Sequence, residues 1–570
     1  MLVALRQANR FNSVVTVLKI KSEDKKMKVK KVLGAIFSVA LAGILSLSTT
    51  ACGKKDDVSS DPKVLNVAVE AKGYGSDFVK DLAESYNETH KDVTVKVVKT
   101  TPDSSFVESS LNLGASKNKI DLYFTILNNV FATQSVASGY KWADLSDVYE
   151  TDLEGYNETG KIKDLMNPYY YQIMTYTDGK QYALPWTSGA VGLLYNKTLW
   201  DKTNNSLKAA NKAELALPVT TDEMFELFDR IKTADVKSAS GKAYAFSYSG
   251  IDSYLHFLFG DLWMQYEGKA VSEAFYEGKN ESGTYTADIY NTTGRLKAYD
   301  TIRSMILQSN GYVSTDNISD SYDQEQLNFL RGEAFFSANG DWLEREASKQ
   351  FNPGDADVAF IRTPIISSIV ENPKISADFT GDKAANETKL RSIINFIDEN
   401  YIDGNKTASA ADAATLGISE STLKFLSDSR MIKFCLPDFV ASVPEYSTSK
   451  DLAKDFLKYM YSKDGQEIVM SATYGCMAPL TVDISQFDYY ADARIFSKSK
   501  LEIVSKQISL GNAMNYPMEY LGQITPTRDS MPSAFGTETP SFTAKGFLDR
   551  EYNYYKSSWS HIMLLAGVKN

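Results

Sequence analysis

Apolar positions along the chain switch between two periods. Residues 64–69 (Val64-Leu-Asn-Val-Ala-Val69) form a short β-rich run, and 93–98 and 120–124 (Ile120-Asp-Leu-Tyr-Phe124) repeat that character. Between these runs the spacing becomes helical. Ser76 stands at an N-cap position ahead of Phe78, Val79, Leu82 and Tyr86 on one face, and 104–116 reads as a second helix. A β-α-β-α-β opening of this kind predicts a parallel sheet in an α/β fold. Further on, Thr220-Thr-Asp-Glu223 has the form of a capping box, with Met224, Phe225, Phe228 and Ile231 following at helical spacing. Ser449 opens another helix that turns Leu452, Phe456, Leu457 and Met460 inward and Lys450, Lys454 and Lys458 to solvent. Residues 384–426 are polar and mostly helical in character, and read as an inserted module.

The N-terminal pattern is of another kind. Met27-Lys-Val-Lys-Lys31 precedes an uncharged stretch over 32–47, then Ser48-Thr-Thr-Ala51-Cys52-Gly53. A basic region, an apolar region and small residues before a cleavage point make a secretory signal. The apolar stretch is shorter than the roughly 20 residues of a membrane span. Ala51-Cys52-Gly53 resembles a bacterial lipobox, in which the cysteine takes the lipid and becomes the mature N-terminus, although Thr49 stands where that pattern usually has Leu. Residues 1–51 are therefore read as an upstream extension (1–26) with a lipoprotein signal peptide, and 52–62 as a polar tether.

Composition narrows the function classes. The chain has 570 residues and a formal charge of −11, which excludes a net-basic nucleic-acid binder as the default reading. Three His and three Cys leave almost no material for a histidine metal site or a zinc ribbon. Cys435 and Cys476 show no disulfide framework, and two buried thiols are the simpler expectation. No nucleophile elbow, His-Glu-x-x-His, P-loop or dinucleotide fingerprint is present. His90, His256 and His561 read as structural or surface residues. Asp316, Asp320 and Asp323 lack the glycine and terminal glutamate of a calcium loop.

Aromatic residues do stand beside polar ones near expected strand ends. Trp186 lies between Leu184-Pro185 and Thr187-Ser-Gly189. Tyr254 ends Ser249-Gly-Ile-Asp-Ser-Tyr254, and Asn339-Gly-Asp341-Trp342 follows the apolar Ala334-Phe-Phe336. A sugar ring has an apolar C–H face and a hydroxylated rim, so it suits a flat aromatic platform flanked by carboxylates and amides. Core packing is the competing role for each ring.

At this point the chain resembles a known family. Gly179-Lys-Gln-Tyr-Ala-Leu-Pro185, continuing to Gly192-Leu-Leu-Tyr-Asn-Lys197, is similar to the signature of extracellular solute-binding proteins of the maltose-binding-protein type, which serve sugar ABC importers. Pro218-Val-Thr-Thr-Asp-Glu-Met224 resembles that family's Pro-x-Thr-Trp-x-Glu helix start. Phe329-Leu-Arg-Gly-Glu-Ala-Phe-Phe-Ser-Ala-Asn-Gly-Asp-Trp342 resembles its segment ending in a sugar-stacking Trp. Lys450-Asp-Leu-Ala-Lys-Asp-Phe-Leu457, then Asp464-Gly-Gln466 and Pro479, follow in the right order. The likeness covers most of 62–480.

The resemblance implies a two-lobed, type II periplasmic-binding-protein fold with crossing strands at the hinge. The first lobe would hold 63–190 and 436–476. The second would hold 194–434 and 480–570, with the insertion near 384–426. Crossings are expected near 190–194, 434–439 and 476–479. Glu70, Asn128, Trp186, Tyr254, Asp341 and Trp342 would line the cleft, Asn128 and Asn129 replacing the family's usual third-strand Trp. Domain closure would be a hinge motion. The expected function is capture of a carbohydrate, in particular an oligosaccharide, by a monomer on the outer face of the cell membrane. A lipid on Cys52 would hold it there, and it would deliver to ABC permease subunits without covalent chemistry or cofactor. A secreted carbohydrate-active enzyme and a sensory or adhesive sugar-binding lipoprotein are the alternatives.

Overall fold

In the computed structural model the described residues run from 58 to 565, without 102–104, 115, 135–140, 177, 235, 237–240, 253, 405 and 512–530. The signal segment, Cys52 and the tether up to residue 57 lie outside them. The opening is as the periodicity predicts. β1 (Val64–Glu70) pairs in parallel with β2 (Thr94–Thr101) and β3 (Leu122–Ile126). The Asp77–Thr89 helix buries Phe78, Val79, Leu82, Ala83 and Tyr86. Ser76 occupies its N-cap position, but the hydroxyl makes no cap hydrogen bond. The second helix, Ser105–Asn112, is shorter than expected because Gly114, at φ +67, takes the chain into the left-handed region.

Two later strands complete this first sheet. β4 (Leu184–Pro185) is separated from β3 by β10 (Phe439–Ser442), giving the order β2-β1-β3-β10-β4 with β10 antiparallel to both neighbours. The chain thus leaves this sheet after β4 and returns to its middle some 250 residues later. Between departure and return it builds a second sheet from β5 (Val191–Asn196), β6 (Tyr244–Ser247), β7 (Ala334–Gly340) and β8 (Val358–Ile361), in the order β6-β7-β5-β8. A parallel two-stranded ribbon of β9 (Ile432–Cys435) and β11 (Ile508–Gly511) lies on the return path, where Cys435 bridges to Ala190. The chain passes between the two sheets at 190–191 and again at 435–439.

The third passage differs. Residues 479–488 still pack beside the first sheet's elements. Asn167 N–H donates to Pro479 O at 2.8 Å, Thr481 N–H to Leu165 O at 2.7 Å, and Asp488 N–H to Glu467 Oε1 at 2.5 Å. The chain reaches the second sheet only with the Ile495–Ser505 helix, which packs on β8. A proline after a helix ends the helix without deciding which layer the chain then joins.

The capping box at 220–223 is made in full. Glu223 N–H donates to Thr220 Oγ1 at 3.2 Å, and Glu223 Oε2 accepts from Val219 and Thr220 N–H. The lysine stripe on the Lys450–Tyr461 helix is ion-paired, Lys450 to Glu445 and Lys454 to Asp147. The 384–426 region contributes the Lys383–Ile397 and Ala410–Leu416 helices and much of the Glu420–Met431 helix. It is docked by burial of Leu390, Ile393, Ile394, Leu423 and Leu426 and by the Arg391–Glu223 pair. Cys435 and Cys476 are both buried free thiols, and burial pushes each up to about 12.

Candidate functional site: a cleft between the two sheets

Parallel strands deliver the chain to their carboxyl ends, and the loops there are where α/β folds place ligands. The loop after β1 carries Lys72, Gly73, Tyr74 and Gly75. Facing it, β7 is followed by Asp341 and Trp342 and then by the short Leu343–Ala347 helix. Between them lies a cavity of about 570 Å³. The first sheet supplies Ala71, Lys72, Gly73, Gly75 and Phe439. Tyr254, Tyr322, Asp323, Trp342, Arg345, Glu346, Lys349 and Gln350 line the other wall.

The inner floor is bridged by the protein itself. Tyr74 OH donates a short hydrogen bond to Asp341 Oδ1, and both residues are buried. Asp341 Oδ2 accepts from Ala190 N–H at 3.3 Å. Burial raises the Asp341 carboxyl above the usual carboxylate range, opposed by the Lys500 charge and the Tyr74 hydroxyl. Burial, reinforced by the Asp341 charge, pushes the Tyr74 phenol well up. At the rim Arg345 pairs with Asp77, and its Nε donates to Tyr74 O at 3.3 Å. A methyl group on Gly73 would stand 2.8 Å from Trp342 Cβ, so this close approach needs glycine.

The residues expected from the sequence divide into two groups. Trp342 and Tyr254 line the cavity. Trp342 is only 7 % exposed, with Tyr74, Tyr254 and Phe257 edge-on around it at 6.0, 5.8 and 5.9 Å. Burial raises the Tyr254 phenol, and the Glu346 charge adds to this. The other group stands one layer back. Asp341 spends its oxygens as above. Trp186 stacks on Phe78 at 4.2 Å and meets Tyr74 edge-on at 5.0 Å. Glu70 accepts from Thr125 Oγ1 at 2.9 Å and pairs at 3.1 Å with Lys72, whose side chain lines the cavity. The Asn128 side chain lies outside the described residues, while Asn129 donates to Thr125 Oγ1 at 2.8 Å. The residues missed are Lys72, Tyr74, Tyr322, Arg345 and Glu346. Their signal was positional: the first two follow a strand's carboxyl end, and Glu346 lies four residues after Trp342.

These two sheets, joined by crossing segments around one cleft, define a binding-protein architecture. The family model described as bacterial extracellular solute-binding protein matches residues 71–387, and the chain belongs to that family. Its fold is similar to that of a probable secreted solute-binding lipoprotein from Streptomyces coelicolor. That likeness has a TM-score of 0.56 at 11 % identity and covers 87 % of this chain and 100 % of the other. It is also similar to the GacH receptor of Streptomyces glaucescens, crystallised unliganded and with acarbose, with a TM-score of 0.53 at 17 % identity over 87 % of this chain and 97 % of that one. No curated protein matches. The two-lobed α/β fold is thus that of the periplasmic binding proteins.

Proposed function

We propose that the protein captures a carbohydrate, in particular an oligosaccharide, and delivers it to the permease subunits of an ABC importer. The reading is carried by one observation: a cavity of about 570 Å³ walled by aromatic rings, carboxylates and an amide, between the lobes of a solute-binding family member. Rings offer a face to the apolar side of a pyranose, and carboxylates and amides serve its hydroxyls. The fold-mate co-crystallised with acarbose supports the same ligand chemistry. Lobe one comprises 63–190 and 436–476, and lobe two 194–434 with the Ile495–Ser505 helix. Tyr254 touches the sugar, Trp342 walls the cavity behind it, and Glu70, Trp186 and Asp341 support that surface. The protein is a monomer that binds and releases without turnover or cofactor, held at the outer membrane face by a lipid on Cys52. No described helix is long and apolar enough to cross a membrane.

A thermal-shift screen over mono- and oligosaccharides tests the ligand class. Saturation at 100 times the dissociation constant adds about 2.7 kcal/mol to stability. Sugars that shift the transition and are recovered unchanged support the reading. A flat response across the screen, or release of cleaved product, refutes it.

A further inference from the structure

The cleft's inner and outer halves are differently equipped. On the floor, the groups best suited to a sugar are already committed to the protein: the Asp341 carboxylate to Tyr74 and Ala190, and the Trp342 ring to Gly73 and three edge-on aromatics. The outer half keeps its groups free. Tyr322 opens the Tyr322–Leu330 helix and is half-buried, and its N–H is fixed by Asp252 Oδ2 at 2.9 Å. Its ring lies 6.4 Å from that of Tyr254, which stacks at 5.1 Å on the buried Phe257. Three rings thus step from the core to the mouth of the cavity, and the outermost faces solvent.

Glu346 stands beside this stair. One oxygen, Oε2, is held by Gln326 Nε2 at 2.8 Å, which sets the carboxylate's direction; among the described residues Oε1 accepts no hydrogen bond. Glu346 and Tyr322 line the same cavity, and the Glu346 charge raises the Tyr322 phenol. Lys349 and Gln350, both exposed, complete the rim.

We infer that Tyr322 and Glu346 form an outer subsite that grips a pyranose ring at the mouth of the cleft, Tyr322 under its apolar C–H face and Glu346 Oε1 accepting from a ring hydroxyl. This rests on the carbohydrate reading above. It places the discriminating contacts outside the Tyr74–Asp341 bridge, where a sugar chain longer than the cavity extends into solvent.

The test is calorimetric titration of the purified full chain with acarbose, maltotriose, cellotriose and xylotriose. The sugar that binds wild type best is then carried to the variants. Tyr322→Ala is expected to weaken it roughly tenfold or more, and Glu346→Gln roughly fivefold. Tyr322→Phe, which keeps the ring, is expected to stay within about twofold of wild type. Melting temperatures of the sugar-free variants should match wild type, which separates lost contact from lost fold. Binding by Tyr322→Ala and Glu346→Gln within twofold of wild type overturns the outer subsite and leaves the carbohydrate reading standing. No binding of any of the four sugars to wild type overturns both.

Discussion

The Tyr74–Asp341 hydrogen bond joins a loop of the first lobe to a strand end of the second. Tyr74→Phe removes one hydroxyl and nothing else. In the closed arrangement it takes a charge-assisted donor from a fully buried carboxylate, a loss of about 1.5–3 kcal/mol. In an opened cleft both groups face water, and the substitution changes almost nothing. The difference falls on the opening equilibrium, moving it toward the open form by roughly 30-fold for a 2 kcal/mol effect. Asp77–Arg345 is a rim pair with Asp77 half exposed, so removing it adds only about 0.5 kcal/mol.

Small-angle scattering of the sugar-free protein reads this directly. Wild type is expected at the compact radius of gyration. The Tyr74→Phe/Arg345→Ala double variant should be measurably larger and should return to the compact value at saturating sugar. A shift of the opening equilibrium leaves the core of each lobe intact, so the melting temperature should fall little. A double variant as compact as wild type but thermally weakened would refute the reasoning, because the two contacts would then hold one rigid body together.

Three further outcomes are expected. Glu325 is buried and accepts from Ser247 and Ser337; burial lifts its carboxyl to about 7 from an ordinary 4.5. The folded chain therefore keeps a proton that the unfolded chain gives up, so the contribution of this group to stability is full below about 4.5 and is lost as pH rises from there through about 7. Glu325→Gln should flatten about 3 kcal/mol of that slope in urea titrations between pH 5 and 8, and parallel curves would count against it. Trp342→Ala should lower sugar-free stability by about 3–5 kcal/mol, as for a buried aromatic, and an unchanged melting temperature would show the ring to be a free platform instead. Cys52→Ser should abolish lipid labelling and membrane retention, and a variant still found in the membrane fraction would rule out anchoring at that residue.

Local pattern made the opening of the fold legible. The alternation of β1, β2 and β3 with an amphipathic helix needs only neighbours in sequence, and so does the capping box at 220–223. The middle of the first sheet was not legible in this way, since β10 inserts between β3 and β4 from a distance that no periodic signal spans. The motif likeness implies a return to the first lobe near 434–439, not that strand order. Residues 479–488 take their layer from hydrogen bonds to 165–167 and Glu467, which the sequence does not display.

The same reasoning separates the site residues. A carboxylate beside an indole, as in Asp341-Trp342, suits a sugar, and so does a ring with polar neighbours, as at Tyr254. That chemistry is equally suited to a protein hydroxyl, and Tyr74 supplies one from across the cleft. Whether a carboxylate serves a ligand or the fold is decided by what faces it, and Tyr74 faces Asp341 only because a glycine at 73 lets the loop approach Trp342 so closely. Glu346 carries the same chemistry four residues later, with no protein hydroxyl opposite Oε1 among the described residues. It remains available to a sugar for the reason that Asp341 does not.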